Sequence, residues 1–163
     1  MGMTIIKSFT FTMSVLTAMI VQAQEGIFDE YREMMGDDNP AVFVIDEGEE
    51  YWFAPAGPKQ ATLAECDLGL GPGVLEGAYA YLPRYFEDAG RVMDLEARLE
   101  FCMVELQGRS REDIHAKPYS LRGDQGTEME ALAAFIVDQS SAVAVSPSQD
   151  RPEERAMYAL GEE

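Results

Sequence analysis

The sequence predicts a mainly α-helical domain with long loops rich in glycine and proline. Two stretches carry apolar residues at helical spacing, and each starts with a residue that favours a helix N-terminus. Before and between them lie segments whose glycines and prolines interrupt regular structure. The 163 residues are enough for one domain and too few for two of ordinary size.

The first clear helix is predicted to follow Asp94, a good N-cap residue. The apolar positions after it recur at helical intervals and form one stripe: Leu95, Leu99, Cys102, Met103 and Leu106. Gly108 suits the C-terminal end of this helix. The pattern therefore directs Cys102 toward the core rather than toward water.

A second helix is predicted after Thr127, which forms a T-x-x-E capping box with Glu130. Its apolar positions keep helical spacing: Met129, Leu132, Ala133 and Ile136, with Phe135 beside them. Residues 140–150, which include Pro147, are then expected to form a polar linker.

A last helix is predicted from Pro152, which fits a first helical turn, with Glu153 and Glu154 favourable at its positive end. Its apolar face begins with three residues: Met157, Tyr158 and Leu160. The predicted helix reaches nearly to the end of the sequence, and no glycine or asparagine cap follows Gly161. A second domain cut short and a frayed tail both explain this pattern.

The other segments are predicted mostly as loops. A short helix is expected at residues 27–35, stopped by the polar residues 36–40. Residues 46–58 are acidic and then rich in glycine and proline, and we expect a surface loop there. Residues 69–77 contain four glycines and a proline, which predicts another loop.

Residues 1–23 indicate a secretory signal peptide. Lys7 gives a positively charged start, residues 9–21 contain no charge, and Ala23 ends an A-x-A-like cleavage signal. The uncharged run is about 13 residues, shorter than the roughly 18 to 20 that cross a bilayer. A retained membrane anchor is the alternative. We expect a periplasmic chain that starts near Gln24 and is not attached to the membrane.

The charge of the chain excludes some classes of partner. Removing residues 1–23 leaves 11 basic and 30 acidic residues, a net charge of −19. Such a field repels the phosphates of nucleic acids and anionic lipid headgroups. The acidity serves either solubility alone or attraction of a basic partner.

The two cysteines, Cys66 and Cys102, favour a disulfide, because an even count in an exported chain seldom leaves free thiols. Two unrelated buried thiols are the alternative. Covalent attachment of haem needs the motif C-x-x-C-H. From Cys66 onward the five residues are C-D-L-G-L, so Gly69 replaces the second thiol and Leu70 the histidine. The absence of the second cysteine and the histidine from this sequence predicts that the chain holds no haem c.

No motif for nucleotide binding, zinc proteolysis or serine hydrolysis is present. His115 is the only histidine, which excludes a metal site built from several histidines, and we interpret it as a solvated loop residue. We therefore assign no catalytic, cofactor-binding or metal-ligating residue.

The segments CDLGLGPG (residues 66–73) and LPRYF (82–86) resemble the SoxA family, the haem subunits of the SoxAX cytochromes of bacterial thiosulfate oxidation. Further similarity lies in GAY (77–79), in residues 94–103 and in EMEALAAFIV (128–137). The resemblance covers most of residues 40–163. It implies two cytochrome c-like domains per full-length protein, some members having lost the N-terminal haem and kept a disulfide there.

The resemblance gives expectations for each part of the chain. It implies a haem-free cytochrome c-like domain at residues 24–145, then a linker and the start of a second domain at 146–163. Cys66 matches the first cysteine of the lost motif, and Cys102 matches the thiolate that would ligate the haem iron. The family binds haem c through a C-terminal domain absent here, so this chain is expected to be structural rather than catalytic.

The family reaction joins thiosulfate oxidatively to a cysteine of the carrier SoxYZ, and the resemblance implies SoxX and SoxYZ as partners. The aromatic segment Arg84-Tyr85-Phe86 either contributes to a partner surface or packs in the core, and core packing is favoured. The competing hypothesis is a free-standing, acidic periplasmic interaction module without catalysis. A non-covalent cofactor site with a cysteine or methionine ligand is a third hypothesis, although methionine is more often core filler.

Overall fold

A computed structural model describes residues 39–116 and 127–162. The predicted signal peptide and the predicted helix at residues 27–35 lie outside them. In the described parts the regular elements are five α-helices and one two-stranded sheet. The prediction of a mainly helical chain is therefore confirmed.

The elements follow one another along the chain as helix, hairpin and four further helices. They are α1 (Pro40–Phe53), a 3₁₀ turn (Ala78–Tyr81), β1 (Arg84–Phe86), β2 (Arg91–Met93), α2 (Leu95–Glu105), α3 (Arg111–His115), α4 (Glu128–Asp138) and α5 (Pro152–Gly161). β1 and β2 form an antiparallel hairpin in which Tyr85 pairs with Val92. The residue patterns above do not predict this hairpin.

α1 corrects the prediction of a surface loop at residues 46–58, because the segment is helical as far as Phe53. It packs against α4 at Gly48, where a Cβ atom would lie 2.0 Å from the carbonyl oxygen of Ala131. Trp52, one turn further on, is 1% exposed. Burial of the side of α1 that carries Gly48 and Trp52 stabilises the helix, although its acidic, exposed side has little preference for helix.

α2 and α4 begin at the predicted caps. The Asp94 side chain accepts a hydrogen bond from the Ala97 N–H at 2.9 Å. Thr127 and Glu130 exchange the two hydrogen bonds of a capping box, at 3.2 and 2.7 Å. Gly108, with φ 72°, turns the chain after α2, and its N–H donates to the carbonyl of Val104.

The core forms where α1, α2, α4 and the hairpin meet. Its fully buried members include Trp52, Leu63, Leu68, Met93, Leu95, Leu99, Met103, Leu132 and Ile136. Four of the five stripe positions predicted on α2 are buried, and Leu106 is partly buried. Residues 69–77 form an irregular loop, as predicted.

α5 is anchored to the hairpin through one buried carboxylate. Glu154 is 5% exposed and accepts hydrogen bonds from the Tyr85 N–H (2.8 Å), Ser148 Oγ (2.6 Å) and the Arg151 N–H (3.0 Å). Burial alone would raise the pKa of Glu154, but these hydrogen bonds outweigh it and lower the pKa to about 2. The carboxylate is therefore charged in the folded protein.

The segment between α4 and α5 is hydrogen-bonded to the 3₁₀ turn. Ser140 donates to the carbonyl of Ile136 and accepts from the Tyr79 N–H, both at 3.1 Å. The Ser146 N–H donates to the Ala80 carbonyl at 2.7 Å. The predicted polar linker is thus irregular, and it is hydrogen-bonded to the domain.

Candidate functional site at the Cys66 loop

The Cys66 loop, residues 66–73, is a tight turn organised by its own aspartate. Oδ1 of Asp67 accepts hydrogen bonds from the N–H groups of Gly69 (2.6 Å) and Gly71 (2.9 Å). The Gly73 N–H closes the turn on the carbonyl of Cys66 at 3.1 Å. Gly73 has φ 73°, and a Cβ atom there would lie 2.5 Å from the Ala64 carbonyl oxygen, so the turn requires glycine.

A disulfide joins this loop to α2. Cys66 and Cys102 are bonded, with their Cα atoms 5.7 Å apart and a separation of 36 positions in sequence. They are 1% and 3% exposed. The bond engages both thiols of the chain, so neither is available as a metal ligand or nucleophile.

Arg98 lies beneath the same loop as a buried cation, 3% exposed. Its Nε donates to the Asp67 carbonyl at 2.7 Å, and its two terminal nitrogens donate to the two carboxylate oxygens of Asp88, both at 2.9 Å. The guanidinium also lies 4.1 Å from the ring centre of Phe86 and 5.0 Å from that of Phe101. These contacts link the loop, the hairpin and α2.

The electrostatics of this cluster follow from the bidentate pair. The hydrogen bonds from Arg98 lower the pKa of the Asp88 carboxyl, which therefore stays ionised. Arg98 is buried while Asp88 is about half exposed. The site is consequently a hydrogen-bonded ion pair at the edge of the core.

Arg84 covers the outer side of the loop. Its guanidinium donates to the carbonyl of Gly69. A Cβ atom on Gly69 would lie 2.3 Å from Cδ of Arg84. In the segment Arg84-Tyr85-Phe86, Phe86 is 5% exposed in the core and Tyr85 is partly buried beneath the guanidinium of Arg151, 4.7 Å away.

The residues around the loop do not fit a covalently attached haem. Cys66 is bonded to Cys102, and the side chain of Arg84 occupies the space into which a side chain at position 69 would project. His115, predicted as a loop residue, instead ends α3 with its Nε2 2.7 Å from Glu100 Oε2. In the described ranges no group of three or more histidine, cysteine or acidic residues is arranged to hold a metal ion.

Sequence reasoning missed Arg98, although a signal existed. Arg98 follows Leu95 by three residues and precedes Cys102 by four, so it shares their buried face of α2. A charge on such a stripe predicts a buried partner. The identity of that partner depends on the hairpin that brings Asp88 across, and the sequence pattern does not show the hairpin.

A family profile described as SoxA/TsdA, cytochrome c domain, matches residues 47–145. The chain belongs to the SoxA/TsdA cytochrome c domain family. The family resemblance of the CDLGLGPG and LPRYF segments is thereby confirmed, as is the cytochrome c-like helical fold. No described helix is long and apolar enough to cross a bilayer.

Two curated relatives named L-cysteine S-thiosulfotransferase subunit SoxA illustrate the similarity. The protein of Hydrogenophilus thermoluteolus is 44% identical over 133 residues, which cover 82% of this chain and 48% of the relative. That of Paracoccus pantotrophus is 29% identical over 126 residues, covering 76% and 39%. The chain thus spans about half the length of such relatives, or less.

A solved structure shares the fold. The crystal structure of SoxXA from P. pantotrophus matches with a TM-score of 0.57 and 27% sequence identity. The match covers 78% of this chain and 44% of that one. The disulfide, the buried arginine and the glycine-rich turn therefore belong to a SoxA-type helical domain.

Proposed function

We propose that this chain supplies a haem-free, cytochrome c-like domain to a SoxA-type subunit, and that its role there is structural. The observation that supports the proposal is the Cys66–Cys102 disulfide, because Cys66 matches, by the family resemblance, the first cysteine of a haem-attachment motif. Arg98 and Arg84 occupy the two sides of the same loop with hydrogen-bonded guanidinium groups. This arrangement fixes the conformation of the loop and engages the carbonyl groups of Asp67 and Gly69 in hydrogen bonds within the protein.

The proposed assembly conjugates thiosulfate oxidatively to a cysteine of the carrier SoxYZ. The haem c of that reaction belongs, in this proposal, to parts of the assembly other than the described residues. The domain acts in the periplasm after removal of residues 1–23, with the boundaries given above of 24–145 for the domain and 146–163 for the linker and the start of a second domain. Its partners are a SoxX-type cytochrome and SoxYZ.

The surface of α5 supports a place within a larger assembly. Met157, Tyr158 and Leu160 are 53%, 51% and 65% exposed, and Glu154 is the buried residue of this helix. A helix of ten residues has little stability without packing, so apolar side chains along it favour further contacts. These contacts are proposed to come from the remainder of a SoxA-type assembly.

Intact mass of protein recovered from the periplasm tests the state of the domain. The expected mass begins at Gln24, carries no haem, and is two hydrogens below that of the dithiol. Reduction and alkylation should then add two labels. A haem adduct formed in a host with c-type cytochrome maturation would contradict the proposal.

An activity measurement tests the proposed role. The purified chain, mixed with thiosulfate, SoxYZ and an electron acceptor, is expected to give no thiosulfate-dependent turnover. The full-length relative from Hydrogenophilus thermoluteolus, together with its SoxX-type partner, is the positive control. Turnover by the pure chain would refute a structural role.

A further inference from the structure

One side of α1 carries exposed aromatic rings next to exposed acids. Phe43 and Phe53 are 71% and 53% exposed. The carboxylates between them, on Asp46, Glu49 and Glu50, are exposed as well. At about 100° per residue the five side chains fall within an arc of roughly 120°. We call these five residues the acidic–aromatic face of α1.

The described residues provide no cation to this face. None of its three carboxylates forms an ion pair with a described residue. Residues 40–58 contain no lysine or arginine. Glu50 also lies in the last turn of α1, where the helix dipole disfavours negative charge and no basic residue compensates. The face therefore retains charges that cost stability in the isolated domain.

A shallow depression of about 430 Å³ lies at the C-terminal end of the face. It is lined by Asp46, Glu49, Glu50, Phe53 and Ala54. Carboxylates beside an aromatic ring match a guanidinium or ammonium group, which can lie on the ring and donate charge-assisted hydrogen bonds to the carboxylate oxygens.

Another side of α1, outside the acidic–aromatic face, is negative too. The Tyr51 hydroxyl donates a hydrogen bond to Glu47 at 2.6 Å. That bond, partial burial, and the charges of Glu47, Glu128 and Glu50 raise the pKa of Tyr51 to about 12. Negative charge is therefore spread around α1 beyond the acidic–aromatic face itself.

We propose that the acidic–aromatic face of α1 is a docking surface for a basic protein, which places an arginine or lysine side chain in the depression beside Phe53. Charge complementarity selects this occupant, because the chain has a net charge of −18 and none of its described cations forms an ion pair on this face. The exposed rings supply the apolar contact that protein interfaces favour. The inference does not depend on the thiosulfate pathway.

The test measures binding of a fluorescent hexa-arginine peptide to the full chain at about 0.15 M salt, where distant charges are screened. A hexa-citrulline peptide is the uncharged counterpart. The test variants are Glu49→Gln/Glu50→Gln and Phe53→Ala. The matched control is Glu76→Gln/Glu105→Gln, which removes two exposed carboxylates elsewhere.

We expect the Glu49/Glu50 variant to weaken arginine-peptide binding about tenfold and Phe53→Ala about two- to fivefold. The Glu76/Glu105 control should change it less than about twofold. Equal losses in the control and the Glu49/Glu50 variant would overturn the proposal, because net charge alone would then explain binding. Equal binding of the citrulline peptide, or no binding of the arginine peptide, would overturn it as well.

Discussion

Arg98 and Glu154 are buried charges whose partners come from distant parts of the sequence. The three guanidinium nitrogens of Arg98 all donate, to Asp67 and Asp88. Glu154 accepts from Tyr85, 69 residues before it, and from its own helix N-terminus. Because each charge is hydrogen-bonded to another element, its burial is tolerated and helps to fix the position of that element.

Replacing Arg98 by methionine should destabilise the protein by about 2–4 kcal/mol. The substitution keeps an unbranched, apolar stem similar to that of arginine but leaves the Asp67 carbonyl and the Asp88 carboxylate without the Arg98 donors. Urea unfolding followed by circular dichroism measures the change. Arg91→Met, at an exposed position of β2, is the control and should shift the free energy of unfolding by less than about 0.5 kcal/mol. Equal effects of the two variants would contradict the role assigned to Arg98.

Glu154→Gln should lower the free energy of unfolding near pH 6, by about 1–3 kcal/mol. The folded pKa, about 2, lies below the usual value of 4.5, so the stabilisation by the carboxylate is complete only above pH 4.5. That contribution is lost as the pH falls toward 2. The difference in free energy of unfolding between Glu154→Gln and the native protein should therefore shrink over the same range. Unfolding curves at several pH values test this. The neighbouring exposed variant Glu153→Gln should show little such pH dependence.

At the scale of elements, the packing of α1 on α4 depends on close approach of two backbones. Gly48 lies against the main chain of Ala131, where a methyl group has no room. Its neighbour Trp52 is buried in the same interface. Packing of its narrow buried face therefore stabilises α1 more than the intrinsic helix propensity of its acidic sequence does.

Gly48→Ala should destabilise the domain by about 1–3 kcal/mol, although alanine favours a helix more than glycine does. The new Cβ atom would lie 2.0 Å from the Ala131 oxygen and separate the helices. Gly161→Ala, in α5 with no atom within 4 Å, is the control. Thermal unfolding should show a lower Tm for the first variant and an unchanged or raised Tm for the second. A Gly48 variant as stable as the control would show that the helices do not approach so closely.

At the scale of the molecule, the disulfide ties the Cys66 loop to α2 across a long stretch of chain. The 36-residue separation encloses the 3₁₀ turn, the hairpin and most of α2. A cross-link of this span stabilises the protein mainly because it lowers the conformational entropy of the unfolded chain. The surrounding core is small, so this restriction is a large part of the total stability.

The double variant Cys66→Ser/Cys102→Ser should lose about 4 kcal/mol of unfolding free energy. Equilibrium denaturation of the oxidised native chain and of the variant measures this difference. Reduction of the native chain should reproduce most of the loss, while the reductant should leave the variant unchanged. Equal stabilities of oxidised and reduced native chain would mean that the bond contributes little.

The sequence by itself determined the mainly helical class, the caps at Asp94 and Thr127, the start of α5 at Pro152 and the family. These are local signals, since caps and apolar periodicity act within a few residues. The tertiary structure alone decided that α1 is a helix, that residues 84–93 form a hairpin, and that Arg98 meets Asp88. Those features depend on contacts between residues distant in sequence, where packing and burial override local preference.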